Sequence, residues 1–263
     1  KTEKPFCLYL AHEAIHNPVQ VPGDLVRRTL DNWERWKWQD HTPEERIEKY
    51  KGMTLPVDEG VGQLREALVE MGIDKDTFIL FFSDNGPSGD FPSGSPDLRG
   101  RKGSVYEGGH KVPAIAWWPG KIEAGSVSDE TLISIDVMPT IMAMGEAESP
   151  NTKLDGVDIS SVLFEEEKLK PRPLYWASMG NNGSRSEAMR DGEWKLVVQH
   201  PKAKPRTFDN EKVELFHLKD DPSEEHDRAL EEPERTAAML KQLKDWYAET
   251  QETATPQIGG WLE

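Results

Sequence analysis

The sequence predicts an α/β fold over residues 1–170, followed by a small α+β subdomain over 171–263 with an antiparallel sheet and a helix. Three observations carry that reading. An amphipathic helical pattern over residues 54–71 leads through Gly72 into the apolar run F-I-L-F-F (78–82), the helix-to-strand step of an α/β sheet. That run has the length and composition of a strand buried on both faces. Beyond a charged linker at 165–173, the texture changes to strand-like runs closed by one amphipathic helix.

Taken in order, residues 6–11 read as a first buried strand, with Cys7 a small buried hydrophobe inside it. A polar loop with His12, His16 and Pro18 follows. Residues 24–50, rich in charge and in Trp33, Trp36 and Trp38, read as helical pieces broken by Pro43. In the 54–71 helix, Val57, Val61, Leu64, Leu68 and Met71 recur on one face, and Gly72 stops it. Residues 86–111 are too rich in Gly, Ser and Pro, and too long, for a plain connection, so a functional loop is expected. Residues 112–118 read as a strand. Residues 136–144 read as a short helix with Asp136 as N-cap and Pro139 in its first turn. Strands are expected at 174–177, 194–198 and 213–218. The final helix at 233–247 has Met239, Leu240, Leu243 and Trp246 as its apolar face. Asn182-Gly183-Ser184 fits the N-glycosylation pattern.

With 263 residues, the chain has room for one large domain or two smaller ones. A formal charge of −16 argues against nucleic-acid and anionic-membrane binding. No apolar run approaches the roughly 20 residues of a membrane span, and K-T-E-K-P does not open a secretory signal. A single cysteine excludes an internal disulfide and any multi-cysteine zinc site. The chain does not begin with methionine and its core pattern starts at Phe6, so further sequence upstream is expected.

Three blocks carry chemistry. In S-D-N-G (83–86), Asp84 and Asn85 offer hard oxygen donors suited to Ca²⁺ or Mg²⁺, at the strand end where open α/β sheets bind ligands. An Asx turn closing a core strand explains the same residues equally well. In L-R-G-R-K-G-S-V-Y-E-G-G-H-K-V-P (98–113), Arg99, Arg101, Lys102, His110 and Lys111 stand against one acid, Glu107. On so acidic a chain this points to an anion site, with glycines letting the backbone approach a ligand; a solvated loop is the alternative. In H-E-A-I-H-N-P (12–18), His16 follows a core strand and can act as an acid or anion donor near neutral pH, or be a surface residue. H-E-A-I-H also fits the zinc-protease string, but that site needs a continuing helix, which Pro18 disfavours.

Together, S-D-N-G after a buried strand, G-R-K-G-S-V-Y-E-G-G-x-K-V-P and I-H-N-P closely resemble the formylglycine-dependent sulfatases of the alkaline-phosphatase-like superfamily. W-W-P-G-K-I-E-A-G-S-V-S-D (117–129), D-V-M-P-T-I (136–141), L-D-G-V-D-I-S-S-V-L (154–163), A-M-R-D-G-E-W-K-L-V (188–197) and E-L-F-H-L-K-D-D-P-S-E-E (214–225) agree, in the family's order. The resemblance implies part of an alkaline-phosphatase-like mixed sheet flanked by helices. It assigns Asp84 and Asn85 to a divalent metal, usually Ca²⁺. It has Lys102 contact a sulfate oxygen and the bridging oxygen, and His16 contact sulfate and protonate the departing alkoxide. The implied substrate is a sulfate ester of a sugar or an aryl group. The implied compartment is periplasmic, secreted or lysosomal.

The family's nucleophile is a formylglycine made within C/S-x-P-S/A-R. Here Cys7 is followed by L-Y-L and no serine has that context. The family's paired aspartates, and the lysine and histidine beside the nucleophile, also lie before the matched region. The chain is therefore expected to be the carboxyl-terminal half of a sulfatase, inactive alone and weak in metal binding. A parallel sheet lacking strands would leave an open edge, so self-association or association with the missing amino-terminal half is expected. A phosphate- or phosphonate-ester hydrolase of the same superfamily and a non-catalytic truncated module are the other readings.

Overall fold

A computed structural model of the chain describes residues 5–16, 42–88, 97–148, 153–165, 167–179, 185–200 and 211–253. The helical pieces expected before residue 42, with Trp33, Trp36 and Trp38, and the Asn182 sequon lie outside the described residues. In chain order the elements are α1 (Pro43–Met71), β1 (Ile79–Phe82), α2 (Glu107–His110), β2 (Ala114–Trp117), α3 (Val137–Met144), α4 (Ser160–Phe164), β3 (Leu174–Met179), β4 (Arg185–Asp191), β5 (Trp194–His200), β6 (Lys212–His217) and α5 (Pro233–Thr253). They fall into two units. The first comprises Lys1–Asp84, Gly89–Pro92 and Val112–Lys170; the second comprises Asn85–Ser88, Ser93–Lys111 and Pro171–Glu263.

In the first unit α1 begins with a capping box. Thr42 Oγ1 accepts from the Glu45 amide, and Glu45 Oε2 accepts from the Thr42 amide at 2.9 Å. Pro43 follows as the first helical residue, where its missing N–H costs nothing, so it starts this helix rather than breaking one. Gly72 ends α1 in the left-handed region at φ 67°, which its lack of a Cβ permits. β1 pairs antiparallel with β2, Ile79 opposite Trp117 and Phe82 opposite Ala114. Among the described residues no third strand joins them. β1 is therefore only half-buried, with Phe81 exposed, where the sequence predicts burial on both faces; that needs packed layers on either side.

Residues 6–11 depart further from expectation. They form no strand, and Phe6, Leu8, Tyr9, Leu10 and Cys7 are exposed. The run has strand composition, but no described strand hydrogen-bonds to it. Asp136 stands at the N-cap position of α3, as expected, but its side chain is used elsewhere. Its fully buried carboxylate accepts from the Ile133 and Val157 amides, both at 3.0 Å, and makes no side-chain cap to α3. It ties a preceding 3₁₀ turn to the 154–159 loop instead. Thr140 extends the tie, donating to the Asp136 carbonyl at 2.6 Å and accepting from the Ile159 amide at 3.1 Å.

The second unit is built on an antiparallel meander, β3-β4-β5-β6. Alternate residues of β5 serve opposite faces, as a pleated strand requires. Leu196 and Val198 join Met189, Leu215, Met239 and Leu243 under α5. Val197 joins Ala188, Phe216, Leu218, Val105 and Tyr106. The expected small α+β arrangement of sheet and closing helix is thus present, with β4 as an added strand. No described helix is long and apolar enough to cross a membrane.

Candidate active site

The two glycine-rich pieces of the second unit are knitted together by main-chain hydrogen bonds. The Gly86 amide donates to the Gly109 carbonyl at 2.8 Å, and the Lys102 amide donates to the Pro87 carbonyl at 2.9 Å. These bonds set Lys102 beside the segment that starts at Asn85. Glycine is required at Gly86, because an added Cβ would stand 2.0 Å from the Gly108 carbonyl oxygen. The 99–109 loop also folds on itself: the Ser104 amide reaches the Arg101 carbonyl at 2.9 Å and the Gly108 amide reaches the Arg99 carbonyl at 2.7 Å. Gly100 and Gly103, at φ 84° and 85°, make the two bends around Lys102. Ser178 Oγ on β3 donates to the Gly103 carbonyl at 2.8 Å.

The five cations of this block have two fates. Arg101, Lys102 and Lys111 are exposed. Arg99 turns inward: Nη1 donates to the Glu224 carbonyl at 2.8 Å, the guanidinium lies 3.9 Å from the Tyr106 ring centroid, and Nη2 is 3.4 Å from Glu214 Oε1. His110 stacks on Trp176 with centroids 4.5 Å apart. Burial, then the Lys195 ammonium, push its imidazole pKa down to about 4, leaving it neutral near neutral pH. The anion-site reading is corrected to that extent, since Arg99 and His110 are spent on internal contacts.

Sequence reasoning missed the ionic network beneath this loop. Lys195 on β5 is wholly buried, with Nζ 2.8 Å from Glu107 Oε1, 2.9 Å from Glu224 Oε1 and 3.1 Å from His110 Nε2. Glu224 Oε2 accepts the Glu107 amide at 2.6 Å, satisfying the start of α2. Burial raises the Glu107 pKa, but the charge and hydrogen bond of Lys195 outweigh it and hold the carboxyl below its ordinary value. For Glu224 burial wins and the pKa moves up. The available signal is a lysine inside W-K-L-V-V (194–198), a run whose other residues are apolar.

His16 and Asp84 belong to the first unit, and Asn85 and Lys102 to the second. His16 is exposed in a turn, its amide donating to the Glu13 carbonyl at 2.8 Å. H-E-A-I-H is therefore not on a helix, in keeping with the rejection of a zinc-protease site. Asp84 is exposed and Asn85 half-buried just beyond β1. Their oxygens are the right kind for Ca²⁺ but too few for its six to eight ligands. Among the described residues no group of three or more His, Cys, Asp or Glu is placed to hold a metal ion.

The sulfatase family model matches residues 1–146, and that for the C-terminal part of N-sulphoglucosamine sulphohydrolase matches residues 101–253. The chain belongs to the sulfatase family. Human arylsulfatase A is 32% identical over 199 residues, covering 74% of this sulfatase chain and 36% of its own. Mouse N-acetylgalactosamine-6-sulfatase is 31% identical over 180 residues, 66% of this chain and 31% of its own. The chain thus spans about a third of the length of these curated relatives. The crystal structure of Ps i-CgsB with k-i-k-neocarrahexaose superposes with TM-score 0.74 at 28% identity, covering 93% of this chain and 50% of that one. A protein solved with its substrate D-glucosamine-2-N,6-O-disulfate superposes at TM-score 0.63 and 18% identity, covering 94% of this chain and 56% of that one, a likeness of fold alone. The alkaline-phosphatase-like α/β fold expected from the sequence stands.

Proposed function

We propose that the chain is the carboxyl-terminal portion of a sulfuric-ester hydrolase and supplies part of its sulfate clamp and metal shell. The family match over residues 1–146, which spans His16, Asp84, Asn85 and Lys102, carries this reading. Lys102 stands exposed on a glycine-braced loop, where an ammonium offsets charge on sulfate and bridging oxygens. On a chain of charge −16, exposed Lys102, Arg101 and Lys111 supply the local positive field an anionic ester requires. His16 serves as the donor that neutralises the leaving alkoxide. Asp84 and Asn85 contribute oxygens to Ca²⁺ (or Mg²⁺), whose charge offsets that of the sulfuryl group. The names of the matched relatives, an N-acetylgalactosamine-6-sulfatase and arylsulfatases, support a sulfated sugar or an aryl sulfate as substrate.

No C/S-x-P-S/A-R occurs in the 263 residues, so these residues by themselves supply no formylglycine nucleophile. The chain alone is expected to show no turnover of an aryl sulfate. In a polypeptide that joins these residues to a formylglycine-bearing segment, Lys102→Ala should lower kcat/KM by about 10²–10³-fold. Turnover by the purified chain alone, or full activity of Lys102→Ala, would overturn the reading. An inactive joined protein that still binds sulfate would favour the non-catalytic module.

A further inference from the structure

The Lys195 network has no part in the reading above, yet it lies under the loop that presents Lys102. Three observations connect them. Lys195 joins Glu107 and Glu224 through its fully buried ammonium. Glu224 in turn holds both ends of the loop, accepting the Glu107 amide on its carboxylate and the Arg99 guanidinium on its carbonyl. The E-G-G-H turn is packed backbone to backbone against residues 99–104. A Cβ at Gly108 would stand 2.6 Å from the Arg99 and Gly100 carbonyl oxygens, and one at Gly109 would stand 2.0 Å from that of Ser104. A displacement of Glu107 therefore has no side chain to absorb it and passes into residues 99–104. Finally, buried ion pairs are poor stabilisers, since an apolar replacement is often as stable, so stability alone explains this network weakly.

We propose that Lys195 is a positioning residue for the Lys102 loop, acting through Glu107 and Glu224. The proposal rests on Lys102 being a sulfate contact only for its functional consequence; the mechanical coupling stands on the second unit alone. Arg190, whose Nη1 lies 3.8 Å from Glu107 Oε2, adds a second cation on the same carboxylate. It is half-buried, and its Nε donates to the Gly192 carbonyl at 2.9 Å. Fixing Glu107 fixes the Gly108 and Gly109 amides, and with them the bends at Gly100 and Gly103 that carry Lys102.

The test compares Lys195→Met and Glu107→Gln with the parent chain, using amide hydrogen exchange and titration with inorganic sulfate. Both variants should lose about tenfold or more protection at the Lys102, Gly108 and Gly109 amides beyond any loss at Leu196 and Leu215 in the sheet, which Lys195→Met also weakens by leaving two buried carboxylates unpaired. Sulfate affinity should fall as far as it does in Lys102→Ala. Unchanged loop protection over an intact sheet would overturn the proposal. So would equal loss in loop and sheet in both variants, which would make the network merely structural. If Lys102→Ala itself leaves sulfate affinity unchanged, the functional reading fails, and the exchange pattern still decides the positioning role.

Discussion

Replacing Gly109 by alanine should destabilise the second unit, although alanine is intrinsically the better helix former. In a helix interior that exchange gains up to about 1 kcal/mol. At Gly109, within α2, the added Cβ would stand 2.0 Å from the Ser104 oxygen, 2.8 Å from the Ser104 carbonyl carbon and 2.9 Å from the Arg101 oxygen. All three are main-chain atoms of a turn already closed by the Ser104 to Arg101 hydrogen bond, so no side-chain rotation relieves the clash. Moving that backbone by about an ångström is overpacking, which costs about 1–3 kcal/mol. The shift also strains the Gly109 to Tyr106 and Gly86 to Gly109 bonds, both 2.8 Å, each worth about 1 kcal/mol. Against the helical gain, the net loss comes to about 2–4 kcal/mol. Gly62 in α1 is the control, because a Cβ there meets nothing within 4 Å, and Gly62→Ala should gain about 0.5–1 kcal/mol. Urea denaturation followed by hydrogen exchange at amides of each unit separates the two effects. A Gly109→Ala protein as stable as the parent would refute the reasoning, since the turn would then accommodate a methyl group freely.

Asp136→Ala strands the Ile133 and Val157 amides at a fully buried site and should cost the first unit about 2–4 kcal/mol. An unchanged thermal midpoint would show that those amides find other partners. The pH dependence of the second unit contains two opposed contributions. Burial, outweighing the pull of Arg185, pushes the Glu187 carboxyl from 4.5 to about 7, so its contribution is lost as pH rises across that interval. His110, pushed from 6.5 to about 4, is protonated first in the unfolded chain, so its contribution is lost as pH falls across that interval. Glu187→Gln removes the first, and the stability of the second unit should then climb more steeply from pH 4.5 to 6.5 than in the parent. Parallel profiles in urea midpoints would contradict this.

What the sequence disclosed about the site divides by distance along the chain. Gly100 and Gly103 bend the backbone around Lys102 within their own segment, and a glycine-rich loop with a central lysine is readable as such. The fate of Arg99 is not, because its partners are Glu214 and Glu224, on and beyond β6. The same holds for His110, whose charge state is decided by Lys195. β4 escaped notice for a related reason. It opens R-S-E, which has no apolar run to mark a strand, yet Arg185 and Glu187 are buried in direct contact with each other, and Glu187 lies 2.5 Å from His200 on β5. A charged residue looks exposed until its partner is known.

The same distinction sets the stop of a helix apart from the existence of a strand. A helix satisfies its backbone within itself, so a stop such as Gly72 acts locally and is visible in the sequence. The start of α1 lies at Pro43 rather than at residue 54, because Thr42, Pro43 and Glu45 together form a helix start. A strand, by contrast, is a relation between segments, and its amides and carbonyls need a neighbour that its own residues do not specify. Residues 6–10 and 78–82 have nearly the same apolar and aromatic composition. The second becomes β1 because Ala114–Trp117 lies opposite it, whereas the first has no described partner and leaves Tyr9 at 87% exposure. Composition thus measured the capacity of both segments to join a sheet, and pairing decided which of them did.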